Sequence, residues 1–231
     1  MDTREWESLP LSNDFIFSKM MLDEEICKRT IEALLKVKVE KVVNLEMEKA
    51  INVAYESKSV RLDVYVKDEN RVFNLEMQVD KQKDLAMRSR YYQSMIDLNL
   101  IEKGHHYSEL KESYVVFICT FDPFKKGLSQ YFFENTCRQK PELRLDDKTY
   151  RVFFNTDASD SETDENVKCF LDYVTGESSD NDLVQKMMER MAEIKSNEKW
   201  KVEFMTMRMK EQDIARDNYA LGQHDGMEIG E

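Results

Sequence analysis

The sequence has no apolar run approaching the ~20 residues that a membrane-crossing helix requires, so no membrane partner is expected. It has no CxxC pair. Its four cysteines, Cys27, Cys119, Cys137 and Cys169, lie far apart, which argues against a zinc site and predicts reduced thiols in a cytosolic protein. It has no glycine-rich loop to cradle a nucleotide phosphate and no GxSxG elbow to present a nucleophilic serine. Glycine is scarce altogether: there are six, and three of them (Gly222, Gly226 and Gly230) fall in the last ten residues. The opening stretch MDTREWESLP is acidic and lacks an apolar core, so no secretory leader is expected and the cytoplasm is the expected compartment.

What is present is a globular composition. The chain has 231 residues, 41% hydrophobic and 35% charged, enough for a sizeable core in one domain with or without an extension. The net charge of −12 argues at first against a nucleic-acid partner. Residues 155–182 carry nine acids and one lysine, a net of −8, which leaves only −4 for everything else. A local basic surface is therefore compatible with the total.

Hydrophobic spacing predicts a helix over 12–36, started by Ser12 or Asn13, then β-like sequence over 37–47, with Ile51–Tyr55 either extending that strand or pairing with the next. Two strands flank a turn at 67–70, and a helix over 82–101 ends at Lys103–Gly104. The run YVVFICTF (114–121) reads as a buried strand, and ELRLDDKTYRVFFNT as a second hairpin turning at Asp146–Asp147. The acidic segment 157–166 reads as a loop, and 164–174 and 182–218 as helices. Met187, Met188, Met191, Phe204, Met205 and Met209 take the apolar positions of the last of these, as core fillers. The polar tail reads as a frayed end, or as a self-association segment of a homo-oligomer. The expected architecture is an α/β domain over residues 1–175 with a mixed central sheet flanked by helices, followed by a helical C-terminal extension, 176–231.

The chemistry concentrates in RLDVYVKDENRVFNLEMQV, residues 61–79. With Val66 facing Arg71 across the turn, Asp63 pairs with Asn74 and Arg61 with Glu76. One face is then wholly apolar, and the other holds Arg61, Asp63, Tyr65, Asn74, Glu76 and Gln78. Asp63 and Glu76 become diagonal neighbours, about 7–8 Å apart at Cβ. Such hard oxygen ligands suit Mg²⁺ or Mn²⁺, and Gln78 could orient a water but cannot ionise to act as a base. The plainer alternative is the polar face of a half-exposed sheet, with Arg61 and Glu76 as a cross-strand ion pair.

In the helix that follows, Arg88, Tyr91, Tyr92 and Met95 share a face at i, i+3, i+4 and i+7. The stretch KQKDLAMRSR, with four basic groups and one acid, is the best local case for a phosphate contact. His105 and His106 follow Gly104, where a loop role is expected rather than metal binding.

The ordered set NDFIFSKMM, RLDVYVKDENRVFNLEMQV, RSRYYQSMIDLNLIEKGHHYSEL and YVVFICTFDPF, over residues 13–124, resembles the PD-(D/E)xK nuclease superfamily. More narrowly it resembles the Rpn family of recombination-promoting nucleases and transposases, and Tyr131–Tyr173 resembles that family's later portion. The resemblance implies a bacterial Mg²⁺-dependent DNA endonuclease with a nuclease-like sheet. It maps the metal-binding aspartate onto Asp63, the second acidic ligand onto Glu76, and a carbonyl ligand onto Met77. It maps the superfamily's lysine onto Gln78, a replacement common in the Rpn family, and an assisting acid onto Asp14. Lys58 or Lys81 is then needed to supply positive charge, and Arg88, Lys81 and Tyr91 are candidates to meet the substrate phosphate. The rival class is a DNA- or protein-binding module that kept the fold and lost turnover. A small-molecule enzyme using the carboxylates as acid and base is a third, without a supporting motif.

Overall fold

The computed structural model describes residues 3–51, 59–101 and 103–228. In chain order the elements are α1 (Thr3–Ser8), α2 (Asp14–Met21), α3 (Glu24–Leu35), β1 (Asn44–Ile51), β2 (Val60–Lys67), β3 (Arg71–Gln78) and α4 (Leu85–Leu100). Then come β4 (Glu112–Cys119), β5 (Gln130–Phe133), β6 (Thr136–Cys137), β7 (Lys140–Arg144), β8 (Thr149–Asn155), α5 (Glu165–Thr175), α6 (Asp182–Ser196) and α7 (Glu198–Glu228). The chain forms two compact units, Pro10–Arg190 and Met1–Leu9 with Met191–Glu231.

The larger unit is built on a six-stranded sheet in the order β1-β2-β3-β4-β8-β5. β1, β2 and β3 are antiparallel, β3, β4 and β8 run parallel, and β5 closes the far edge antiparallel to β8. This is the mixed, helix-flanked sheet expected. One face of it carries Tyr65, Val115, Phe117, Cys119 and Phe153, packed with Leu85, Met95 and Ile96 of α4. β4 is buried from Ser113 onward, as the continuous apolar run predicts.

Several local expectations are corrected. The helix over 12–36 is two helices. Asn13 Oδ1 accepts from Ile16 N, and Asp23 Oδ1 accepts from Glu25 N and Ile26 N, so the aspartate caps a second helix inside the apolar pattern. The last helical stretch divides in the same way at Asn197, whose Oδ1 accepts from Lys199 N and Trp200 N. α7 then continues to Glu228, where a frayed end was expected. Residues 52–55, expected to extend β1 or to pair with the next strand, lie outside the described residues. α4 ends at Leu100, before Gly104.

The second hairpin does not form. β7 pairs with β6, while β8 inserts between β4 and β5. Val152, Phe153 and Phe154 are buried in that slot, whereas β7 is exposed along its length. Burying three large apolar side chains outweighs a local antiparallel pairing at the surface.

In the smaller unit Trp6 and Phe204 are buried against each other, ring centroids 5.5 Å apart. Lys195 Nζ donates to Trp6 O and Leu9 O, and Trp6 Nε1 donates to Lys195 O. The methionines are not uniformly core: Met187 is buried, while Met188 and Met209 are exposed.

Candidate active site

The β2–β3 turn sets the geometry. Asp68 N donates to Arg71 O, and Asp68 Oδ1 accepts from Asn70 N and Arg71 N, which fixes a turn at 68–71. Val66 therefore faces Phe73 and Val64 faces Leu75, a two-residue shift from the expected register. Because side chains alternate with period two, the shift keeps every residue on its expected face. It moves Asp63 from a diagonal position to one directly opposite Glu76.

Regular pairing of the two strands ends at Val64–Leu75. Beyond it the carboxylates take over. Asp63 N donates to Glu76 Oε1 at 3.1 Å, and Met77 N donates to Asp63 Oδ2 at 3.1 Å. Each strand's carboxylate thus satisfies an amide of the other or of its neighbour, which prevents the cost of leaving those N–H groups unpaired. Asn74 Nδ2 adds a third donor to Glu76 Oε1 at 3.0 Å.

The polar face is not solvated, contrary to the plainer alternative. Asn74 is 0% exposed, Glu76 1% and Gln78 5%. Nor does Arg61 pair with Glu76; it reaches Glu48 at 2.6 Å. The covering element is α4, which delivers Arg88. Its guanidinium meets Glu76 Oε2 at 3.1 Å, Gln78 Oε1 at 2.9 Å and Gln82 Oε1 at 2.9 Å. It also lies over the Tyr92 and Phe117 rings, at 5.2 and 5.1 Å from their centroids. Gln78 Nε2 is held by Asp80 O.

Burial pushes the Asp63 carboxyl above the usual range, and the charge of Asp14 on α2 adds to this. Burial pushes Glu76 up as well, and the charge of Asp63 adds to it. The amides and Arg88 oppose both shifts without cancelling them. Burial also pushes the Tyr92 hydroxyl up to about 12, with Glu76 contributing. The pocket thus disfavours ionising both carboxyls at once.

That penalty on ionising the pair is one that a divalent cation would offset. Asp63 Oδ1 has no hydrogen-bond partner among the described residues, while Glu76 Oε2 faces Arg88. Among the described residues no group of three or more His, Cys, Asp and Glu forms a metal-binding cluster. Two carboxylates are nonetheless a sufficient protein share for Mg²⁺, which keeps most of its waters. The residues present fit such an ion, with Asp63 and Glu76 as holders and the carbonyl of Met77 between them in sequence.

A cleft of roughly 460 Å³ shares Arg88 with this centre, and its lining includes Arg61, Asp84, Arg90, Tyr91 and Tyr92. Lys81 is exposed and forms no ion pair among the described residues. Lys58 lies outside the described residues. His105 Nδ1 and His106 N meet the Glu109 carboxylate in a short turn, as a loop role predicts. Sequence reading missed Asn74 and Gln82. Asn74 carried one signal, an amide in an apolar strand on the same face as Glu76; Gln82 carried none.

The four cysteines are unpaired, and no helix among the described residues is long and apolar enough to cross a membrane. No curated protein and no solved structure matches the chain significantly. A family model for the PD-(D/E)XK nuclease family transposases matches residues 11–220, which spans the whole sheet and the carboxylate centre. The chain belongs to the PD-(D/E)XK nuclease family transposases.

Proposed function

We propose that this protein is a Mg²⁺- or Mn²⁺-dependent DNA endonuclease acting in recombination or the movement of mobile DNA in the bacterial cytoplasm. The observation that carries the reading is the Asp63–Glu76 pair, crossed onto backbone amides where the β2–β3 pairing stops and held above the usual carboxylate range by burial and by neighbouring carboxyl charge.

Asp63 and Glu76, with the Met77 carbonyl, would hold the cation. A divalent ion there would polarise a phosphodiester and lower the pKa of water at the site. The protein's own groups do the rest. The amides of Asp63 and Met77 fix which carboxylate oxygens turn outward. Gln78 stands where the superfamily has lysine and brings no charge of its own. Its Oε1 instead anchors Arg88, so a permanent cation sits where the lysine's charge would be. Arg88 would therefore fill the charge role proposed for Lys58 or Lys81, and as a residue of both the carboxylate centre and the cleft it would meet a phosphate oxygen of the substrate. Lys81 and Tyr91 contribute outer contacts to the DNA, and Asp14 tunes Asp63.

The test is cleavage of supercoiled plasmid at low salt with Mg²⁺, Mn²⁺ or EDTA, beside Asp63→Ala and Glu76→Ala. Metal-dependent nicking that both substitutions abolish is the expected result. Folded wild-type protein that cuts no DNA form with any metal would instead mark a binding module with a relic site.

A further inference from the structure

The sheet topology gathers cations that are far apart in sequence. β3 and β4 are parallel and in register, with Gln78 beside Cys119, so both chains leave the sheet at the same edge. Thr120 N donates to Gln78 O, which ties the two exits together. β3 continues into Lys81 and Lys83, and β4 into Lys125 and Lys126. All four lysines are exposed, and none has a carboxylate within ion-pair reach among the described residues. β2 runs antiparallel to β3, so its amino end, with Ser59 and Arg61 lining the cleft, lies at this edge too.

The β4–β5 loop is held rigid. The Asp122 carboxylate accepts from the amides of Phe124, Lys125 and Gly127 and from the Tyr131 hydroxyl. Tyr131 Oη in turn accepts from the amides of Lys126 and Leu128. Asp122 thereby spends its charge inside the loop and presents Lys125 and Lys126 outward at little entropic cost. Asp80 and Asp84 match Lys81 and Lys83 in number, so the β3 exit is neutral; with Asp122 counted, the two exits together carry a net charge of +1.

One strand further along, the sign reverses. β8 is parallel to β4, with Asn155 beside Cys119, and its exit carries Asp157, Asp160, Glu162 and Asp164. The edge therefore presents four exposed lysines without ion-pair partners among the described residues at β3 and β4, and turns acidic past β8. The carboxylate centre lies beside the lysine-bearing part, because Glu76 and Gln78 are the last residues of β3 on that face.

We propose that the DNA phosphate backbone crosses this edge over Lys81, Lys83, Lys125 and Lys126, and that the acidic segment after β8 bounds the track. The inference takes its partner from the nuclease reading but concerns binding, not turnover. Exposed lysines contact phosphates without reading sequence, so binding here is weakly selective and falls steeply with salt.

The test is fluorescence anisotropy of a short labelled DNA duplex in EDTA, titrated at several salt concentrations. The variants are Lys81→Glu/Lys83→Glu and Lys125→Glu/Lys126→Glu, with Lys38→Glu/Lys41→Glu as control. Lys38 and Lys41 are exposed ahead of β1, at the opposite edge of the sheet. Each test pair is expected to weaken binding roughly tenfold or more at low salt and to reduce the salt slope by about two, with unchanged melting temperature. The control is expected to bind like wild type. Binding that survives both test pairs, or that the control pair weakens equally, overturns the track. Asp157→Lys is expected to tighten binding, and no change overturns the boundary. A protein that binds through this edge yet cuts nothing sinks the nuclease reading alone. One that cuts without needing these lysines sinks the track alone.

Discussion

Two places in this molecule put ionisable groups out of water, and they resolve the cost differently. In the larger unit, Asp63 and Glu76 accept hydrogen bonds from backbone amides. In the smaller unit, Lys195 donates to the backbone carbonyls of Trp6 and Leu9. Desolvation pushes each toward its neutral form: the carboxyls up, the Lys195 ammonium down to about 8. The difference is in what remains. Lys195 is a single charge with carbonyls and the Trp6 ring around it, a closed arrangement that joins the chain's first residues to α6. The carboxyls are two groups that repel each other when both ionise, with a guanidinium on Glu76 and one Asp63 oxygen without a hydrogen-bond partner among the described residues. A closed site holds structure together, whereas a pair that ionises together only at a cost is the one we propose to take a cation.

The largest expected effect breaks the open site. Asp63→Ala should lower plasmid cleavage by about three orders of magnitude, about 4 kcal/mol of transition-state stabilisation, while the far-ultraviolet circular dichroism stays native. Arg88→Ala comes next. It removes the counter-charge from the fully buried Glu76 and should cost about 3 kcal/mol in denaturant titration of the metal-free protein. Mg²⁺ should restore part of that loss, because it supplies positive charge to the same carboxylate.

Metal addition sharpens the contrast from the other side. At about a hundredfold excess over its dissociation constant, Mg²⁺ should stabilise wild type by about 2.7 kcal/mol in calorimetry, and EDTA should remove the gain. Asp63→Ala should show no such shift. The smallest effects belong to Lys195. Lys195→Met leaves two carbonyls without their donor and should cost about 1–3 kcal/mol. Its pH dependence has a definite sign. Between the folded value of about 8 and the ordinary 10.5, the unfolded chain holds a proton that the folded chain has released. Stability contributed by this group therefore rises with pH across that window, and urea titrations from pH 8 to 10 should show a slope that Lys195→Met lacks.

The two runs that read as hairpins show how far sequence reaches. Both have strand-like segments around an acidic turn. In 60–78 the halves pair with each other, and in 140–155 they go to different sheets. Alternation is local information, so the faces of the first hairpin, and with them the shared side of Asp63, Glu76 and Gln78, were readable. The register was not, because it depended on the Asp68 side chain capping its own turn. The partner of β8 was not readable either, since the slot between β4 and β5 exists only once the sheet has assembled. The same holds for Asn74 and Gln82, whose roles depend on side chains brought by other parts of the chain.

By itself, then, the sequence determined the mixed α/β class, the absence of a membrane-length apolar helix, the apolar and polar faces of the central hairpin, and the family resemblance. Each of these is a matter of composition or of spacing over a few residues, where alternation and helical periodicity act directly. Only the tertiary structure decided that the polar face is buried, that Asp63 lies opposite Glu76, and that Arg88 serves Gln78 and Glu76. It also decided that lysines some forty residues apart leave the sheet at one edge. These depend on which elements pack together. Packing is governed by the total apolar area buried and by the satisfaction of every polar group enclosed, and neither quantity is written in any single stretch of the chain.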